Sequence, residues 1–133
     1  MRFLATFVLV LLCAPAQAAE LIVFEQKGCV WCQRFDREIV PAYARTAEGK
    51  RAPLRRVDIA KPVPDDLSFI VRERFTPVFV LVENGAEFGR IRGYPGETFF
   101  WGLLANLLEQ LDRGEPSSPA PTTAPPPGAT FAE

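Results

Sequence analysis

Two closely spaced cysteines, Cys29 and Cys32, are the residues of this sequence best suited to chemistry. A Cys-x-x-Cys pair can form a redox-active disulfide, supply half of a zinc site or attach a haem. Zinc takes four ligands, usually Cys or His, and the chain has three cysteines and no histidine, so a site within one chain would need carboxylates. Haem attachment requires histidine directly after Cys32, where Gln33 stands. The pair therefore favours thiol–disulfide exchange without a metal or another cofactor.

The position of the pair between a predicted strand and a predicted helix assigns a role to each cysteine. The apolar run Leu21–Phe24 is typical of a buried strand, and Lys27-Gly28 ends it. A helix that begins near Cys29 would stabilise a thiolate there through its unpaired amides and its dipole, and Lys27 could add positive charge. Cys32 begins the inward side of the helix and should be more buried. We therefore predict that Cys29 attacks and Cys32 resolves the mixed disulfide.

Two further features are candidates for substrate binding. Trp31 lies between the cysteines, is expected to be partly exposed and either offers an apolar surface to a partner or packs beside the site. Thr76-Pro77 precedes a predicted strand, and X-Pro bonds are those for which a cis form is accessible. A cis Pro77 next to Cys29 would leave the Thr76 backbone free to pair with an extended substrate. The alternative is an ordinary trans proline at a strand start.

The remaining pattern predicts an α/β domain with the order β-α-β-α-β-β-α. The first helix is expected to reach about Thr46 with a kink at Pro41, and its inward stripe comprises Cys32, Phe35, Ile39 and Tyr43. The other predicted elements are a strand at Leu54–Ile59, a short helix at Asp65–Arg74, strands at Pro77–Val82 and Glu87–Arg92 joined by an Asn84-Gly85 turn, and a helix at Glu97–Asp112. The buried face of this last helix is predicted to contain Phe100, Leu103, Leu104, Leu107, Leu108 and Leu111. The first two strands should be parallel and the last two antiparallel, giving a four-stranded mixed sheet with helices on both faces.

The two ends of the chain differ in composition from this domain. Residues 1–18 resemble a secretory signal peptide, with Arg2, an apolar run and the small-x-small site Ala16-Gln17-Ala18. That run is too short to span a bilayer, and Leu12 before Cys13 does not suit a lipoprotein signal. Residues 19–114 form the predicted domain, and residues 115–133 a Pro-rich tail expected to be disordered. The predicted protein is exported, with no membrane span after cleavage, and its net charge of −1 argues against nucleic acid as a partner.

The residues around the pair resemble the thioredoxin superfamily. The likeness rests on Val23-Phe24 leading into Gly28–Cys32, on Phe75–Val80, and on Asn84-Gly85 followed by the final amphipathic helix. It implies a thioredoxin-like fold, a catalytic Cys29–Cys32 disulfide and a protein disulfide as substrate. Thioredoxins carry a buried acid six residues before the first cysteine, where this chain has Val23, and Glu25 is the nearest acid. Lys27 and Glu25 are therefore the candidate modulators of the thiol pKa values.

A narrower resemblance concerns Glu48–Ile59 and Gly89–Gly96. These segments are similar to the small periplasmic thioredoxins of bacterial sulfur-oxidation systems. The resemblance implies a periplasmic reductase that keeps a cysteine of the sulfur-carrier complex reduced, or frees it when it is blocked. We expect the protein to be a monomer. It also implies a membrane thiol transporter as the electron donor.

Three other functions stay open at this point. A glutaredoxin-like enzyme would share Val23-Phe24 and Thr76–Val78, but Gly93–Gly96 stands where its Gly-Gly-Asp glutathione loop is expected. A disulfide oxidase or isomerase often has histidine between the cysteines, and its absence favours reduction. A non-catalytic binding module would have an inert disulfide and the Pro-rich tail as its ligand.

Overall fold

The computed structural model describes residues 18–117 of the chain. The predicted signal peptide, apart from Ala18, and the predicted tail, apart from residues 115–117, lie outside the described residues. The domain itself is a sheet of four strands, β1 (Glu20–Glu25), β2 (Leu54–Asp58), β3 (Val78–Glu83) and β4 (Ala86–Arg92), in the order β2-β1-β3-β4. The pair β1–β2 is parallel, and β1–β3 and β3–β4 are antiparallel. The predicted mixed sheet is therefore confirmed.

The predicted first helix is wrong in one respect, because the chain forms three short helices there. They are α1 (Val30–Glu38), α2 (Val40–Tyr43) and α3 (Ala47–Arg51). Pro41 has no backbone N–H to donate into the preceding turn, so the helix breaks at Ile39 and restarts with Pro41 in the first turn of α2. The helix α3 begins after Thr46, because the Thr46 side chain accepts a hydrogen bond from the Gly49 amide at 3.0 Å and caps it.

The predicted helix at Asp65–Arg74 is also wrong. Only a single 3₁₀ turn, Asp65–Leu67, forms there, and the chain then continues irregularly to Pro77. Two arginine side chains bind carbonyl groups in and before this region. Arg72 donates to the Ile59 carbonyl at 2.9 Å, and Arg90 donates to the Val71 carbonyl at 2.9 Å. Arg90 therefore satisfies a carbonyl inside the irregular region, whereas the Ile59 carbonyl lies directly after β2.

One apolar cluster packs on each face of the sheet. One face of β1, with Leu21 and Val23, packs against α1 and against α4 (Glu97–Asp112). The other face, with Ile22 and Phe24, packs against Leu67 of the 3₁₀ turn and Ile70 of the irregular segment after it. The predicted inward stripe of the first helix, from Cys32 through Tyr43, is buried. On α4, however, Leu103 is 41% exposed, contrary to the prediction, because it lies at the margin of the buried stripe that contains Phe100, Leu104, Leu107, Leu108 and Leu111.

Candidate functional site

The first cysteine occupies the junction between β1 and α1. The strand ends at Glu25, and Gly28 turns the chain with a φ of +81°, a value that glycine adopts without a Cβ clash. Cys29 is the N-cap residue of α1, and its carbonyl accepts the Gln33 amide at 3.1 Å. The sequence thus places a cysteine sulfur where a helix presents its unpaired amides.

The two cysteines form a disulfide with their Cα atoms 5.2 Å apart, as predicted for the redox pair. Their environments differ. Cys32 is only 6% exposed, whereas Cys29 is half-buried at the surface. The Cys32 amide donates a hydrogen bond to the Cys29 sulfur at 3.1 Å. An attacking partner therefore reaches Cys29 more easily than Cys32, and the amide hydrogen bond would stabilise negative charge on the Cys29 sulfur after reduction.

A cavity of about 270 Å³ opens beside the disulfide. Both cysteines line it, together with the two predicted modulators, Glu25 and Lys27. The remaining lining residues come from the turn, from α1 and from the end of β2, and they are Gln26, Gly28, Gln33, Asp36 and Asp58. The structure therefore brings four of the seven predicted site residues together, while Trp31, Thr76 and Pro77 do not line this cavity.

The charged residues at this cavity are linked through one arginine. Arg56, on β2, donates to Glu25 at 2.5 Å and to Asp36 at 2.6 Å. Asp58 instead accepts the Ala60 amide at 2.9 Å and so fixes the turn after β2. Sequence reasoning missed Arg56, Asp36 and Asp58. Asp36 could have been found from its spacing, because it lies four residues after Cys32 on the same side of α1.

Trp31 lies on the surface next to the disulfide, with 53% of its area exposed. The Arg34 guanidinium lies 5.9 Å from the centre of its ring, and Arg34 pairs with Glu38 at 2.8 Å. Tyr94 then donates a hydrogen bond to Glu38 at 2.7 Å. The hydrogen bond from Arg34 and that from Tyr94 both hold the pKa of Glu38 below its ordinary value. This chain of contacts connects the exposed indole to the loop before α4.

The Thr76–Pro77 peptide bond is cis in this structure. Phe24 pairs with Val78 across β1 and β3, so continuing this register puts Pro77 opposite Glu25, at the cysteine end of the sheet. The Pro77 carbonyl accepts the Gly93 amide at 2.9 Å. The Thr76 hydroxyl is buried and has no hydrogen-bond partner among residues 18–117.

Other kinds of site find little support in the part of the chain that the structure describes. Across residues 18–117, no three or more His, Cys, Asp or Glu side chains are grouped so that they could hold a metal ion. Over the same residues, no helix is both long enough and apolar enough to cross a membrane. A second cavity, of about 310 Å³, lies at the opposite end of the sheet near Glu20, Phe69 and Asn84, and neither Cys29 nor Cys32 lines it.

Comparison with solved structures finds a similar protein, the periplasmic thioredoxin SoxS from Paracoccus pantotrophus, whose crystal structure is of the reduced form. The two sequences are 46% identical, and the match covers 70% of this chain and 98% of that chain, with a TM-score of 0.67. No match was found among protein-family models or among curated proteins. Identity at this level over nearly the whole of the matched chain indicates common family membership as well as a common fold.

Proposed function

Because the chain belongs to the thioredoxin superfamily and carries the Cys29–Cys32 pair, it is a thiol–disulfide oxidoreductase, and we propose that it works in the periplasm as a dithiol reductase. The predicted superfamily membership and the likeness to periplasmic thioredoxins are both confirmed by the similarity to SoxS. The observation that carries the proposal is the asymmetry of the pair, in which an accessible N-cap sulfur lies beside a buried one.

We assign the reaction steps to the two sulfurs as follows. The Cys29 thiolate attacks one sulfur of the substrate disulfide, and the first substrate thiolate leaves with the electron pair of the broken bond. Cys32 then loses its proton and attacks the Cys29 sulfur, and the second substrate thiolate leaves. The substrate disulfide is reduced to two thiols, and the protein dithiol is oxidised to the Cys29–Cys32 disulfide. The absence of histidine between the cysteines supports this direction over disulfide oxidation.

The proposed cellular setting follows from the resemblance to periplasmic thioredoxins. Residues 1–18 would direct export and be removed. Residues 115–133 would form a Pro-rich tail, whose start still contacts the domain because the Ser117 amide donates to the Glu87 carbonyl at 2.8 Å. Ala19, the first residue after the proposed cleavage, is fully buried in the larger apolar cluster, so cleavage there would retain the core. The protein would act as a monomer on a cysteine of the sulfur-carrier complex of thiosulfate oxidation, and a membrane thiol transporter would reduce it again.

A substrate would dock beside the disulfide, on the exposed Trp31 ring and on the Thr76 backbone next to the buried Pro77. Trp31 offers an exposed apolar ring, and an extended peptide could pair with the Thr76 backbone at the cysteine end of the sheet. Replacing Trp31 with alanine should therefore raise KM for a protein disulfide such as that of insulin about tenfold, because the few interface residues whose truncation costs more than about 1 kcal/mol are enriched in tryptophan. The rate with a small aromatic disulfide should change much less.

Phe69→Ala is the matched control for this experiment, because Phe69 is also a partly exposed aromatic but lines the cavity at the opposite end of the sheet. Steady-state kinetics with both substrates separate the two roles of Trp31. If W31A lowers thermal stability and leaves KM for insulin unchanged, the indole only packs beside the site.

Trapping with Cys32→Ala tests the proposed partner directly. The variant should accumulate a mixed disulfide between Cys29 and the substrate, because the sulfur that releases the substrate is missing. Affinity purification from the native periplasm followed by mass spectrometry should recover the sulfur-carrier protein, and a thiol reductant should release it. Cys29→Ala serves as the control and should trap far less protein, since Cys32 is buried.

The same experiment separates the competing functions. Recovery of glutathione adducts alone would support the glutaredoxin-like alternative, and recovery of unrelated periplasmic proteins alone would contradict the sulfur-carrier assignment. A Cys29–Cys32 disulfide that resists reductants in the native protein would instead support a non-catalytic binding module.

A further inference from the structure

The face of β1 that α1 covers ends in a carboxylate. Side chains alternate between the two faces of a strand, so Leu21, Val23 and Glu25 point to the same side. Leu21 and Val23 are fully buried in the cluster that contains the apolar residues of α1. Glu25 follows on this face at the end of the strand and lines the cavity that Cys32 also lines.

The partner of this carboxylate comes from the neighbouring strand. Arg56 stands directly opposite Val23 in the parallel register of β1 and β2, so it lies on the same face of the sheet. From there its guanidinium reaches forward to Glu25 at 2.5 Å. The Glu25–Arg56 pair therefore lies on the same face as Val23, with Glu25 two residues closer to the disulfide.

The other two acids at the cavity are less suited to serve Cys32. Asp58 is engaged with the Ala60 amide at 2.9 Å. Asp36 shares Arg56 with Glu25, but its side chain is 43% exposed, against 27% for Glu25. Glu25 is thus the more shielded of the two carboxylates that Arg56 holds beside Cys32.

We propose that Glu25 is the proton acceptor for Cys32 in the resolving step, with Arg56 as its positioning residue. The proposal deepens the reductase function and rests on it. In the mixed disulfide, the proton of the Cys32 thiol passes to the Glu25 carboxylate, through water in the cavity where the two do not touch. The cavity volume of about 270 Å³ is ample for such water. The Cys32 thiolate then attacks the Cys29 sulfur, and the substrate thiolate leaves and takes up a proton from solvent.

Four other charged groups face this proton path. Lys27 lies in the turn before α1, Asp36 lies on α1, and Arg56 and Asp58 lie on β2. Because Arg56 pairs with both Glu25 and Asp36, removing its charge would affect both acids. The decisive variants are therefore those that neutralise one acid and leave Arg56 in place.

The test is a single turnover of the reduced protein with Ellman's reagent, in which each sulfur releases one thionitrobenzoate. The first release reports attack by Cys29, and the second reports resolution by Cys32. In E25Q the second phase should slow relative to the first by at least about tenfold at pH 7, since general-base catalysis typically contributes about 10²- to 10⁴-fold. The deficit should shrink as the pH rises past the ordinary thiol pKa of about 8.5, where Cys32 ionises unaided.

E20Q is the matched control, because Glu20 lies on the same strand and pairs with an arginine, Arg55, at the end of the sheet away from the cysteines. It should leave both phases unchanged. A second phase in E25Q that equals the wild-type phase at every pH would overturn the proposal, as would a deficit in D36N that exceeds the deficit in E25Q. If the wild-type protein releases no thionitrobenzoate at all, the proposed reductase function itself fails, and this outcome is distinct from the others.

Discussion

Replacing Cys29 with serine should abolish disulfide reduction, with a loss of at least about three orders of magnitude in kcat/KM for insulin. A hydroxyl at this position cannot form the mixed disulfide, and the remaining sulfur, Cys32, is only 6% exposed. The N-cap position amplifies the loss, because the 3.1 Å hydrogen bond from the Cys32 amide and the α1 dipole act on the sulfur at Cys29. Insulin turbidity and Ellman's reagent provide two independent readouts.

Cys32→Ser is the matched control for this variant. Both substitutions remove the same disulfide, so an effect of that bond on stability should be shared by the two variants. C32S should still react once with Ellman's reagent at close to the wild-type rate of the first phase, although it should not turn over. If C29S reduced insulin at even a tenth of the wild-type rate, Cys29 would not be the attacking thiol.

Replacing Phe35 with alanine should destabilise the domain by about 3–5 kcal/mol, the usual cost of truncating a buried phenylalanine. Phe35 is fully buried and connects α1 to the sheet and to α4 through ring contacts. Its ring centre lies 4.7 Å from that of Phe79, 5.3 Å from that of Phe100 and 5.7 Å from that of Tyr94. Because Cys32 precedes Phe35 by one turn, loss of this anchor should also loosen the position of the resolving sulfur.

Urea unfolding of the oxidised protein measures this effect. A typical domain has only about 5–15 kcal/mol of stability, so F35L provides a second, milder variant for which we expect a loss of about 1–2 kcal/mol. Phe99→Ala is the control, since Phe99 is 71% exposed, and it should change stability by less than about 0.5 kcal/mol. A loss below about 1 kcal/mol in F35A would show that this aromatic cluster does not anchor α1.

The parts of the fold that could be predicted from the sequence depend on local signals. The apolar run of β1, the turn at Gly28 and the inward stripe from Cys32 to Tyr43 lie within one short stretch, and they place the disulfide at a helix N-terminus. The Asn84-Gly85 turn similarly predicted the β3–β4 hairpin. In each case the periodicity and the turn residues agree with the tertiary contacts.

The parts that could not be predicted depend on distant residues. In the irregular region after Asp65, the Val71 carbonyl accepts a hydrogen bond from Arg90, which is 19 residues away. The pairing of Arg56 with Glu25, 31 residues away, likewise needs the register of β1 and β2. Val23 stands in the sequence where thioredoxins carry a buried acid, whereas the position of Arg56 opposite it depends on the strand register.

The equilibrium reduction potential of the Cys29–Cys32 pair tests the central claim, dithiol reduction, most directly. The purified protein, without residues 1–18, would be equilibrated with a series of thiol–disulfide buffers, and the reduced fraction counted by alkylation and mass spectrometry. A reductase predicts a potential close to that of thioredoxin, about −270 mV, so that the dithiol gives up its electrons readily. A potential near about −180 mV, as in protein disulfide isomerase, or near about −120 mV, as in a strong disulfide oxidase, would contradict the reductase account. In that case the disulfide would be the reactive form of the pair.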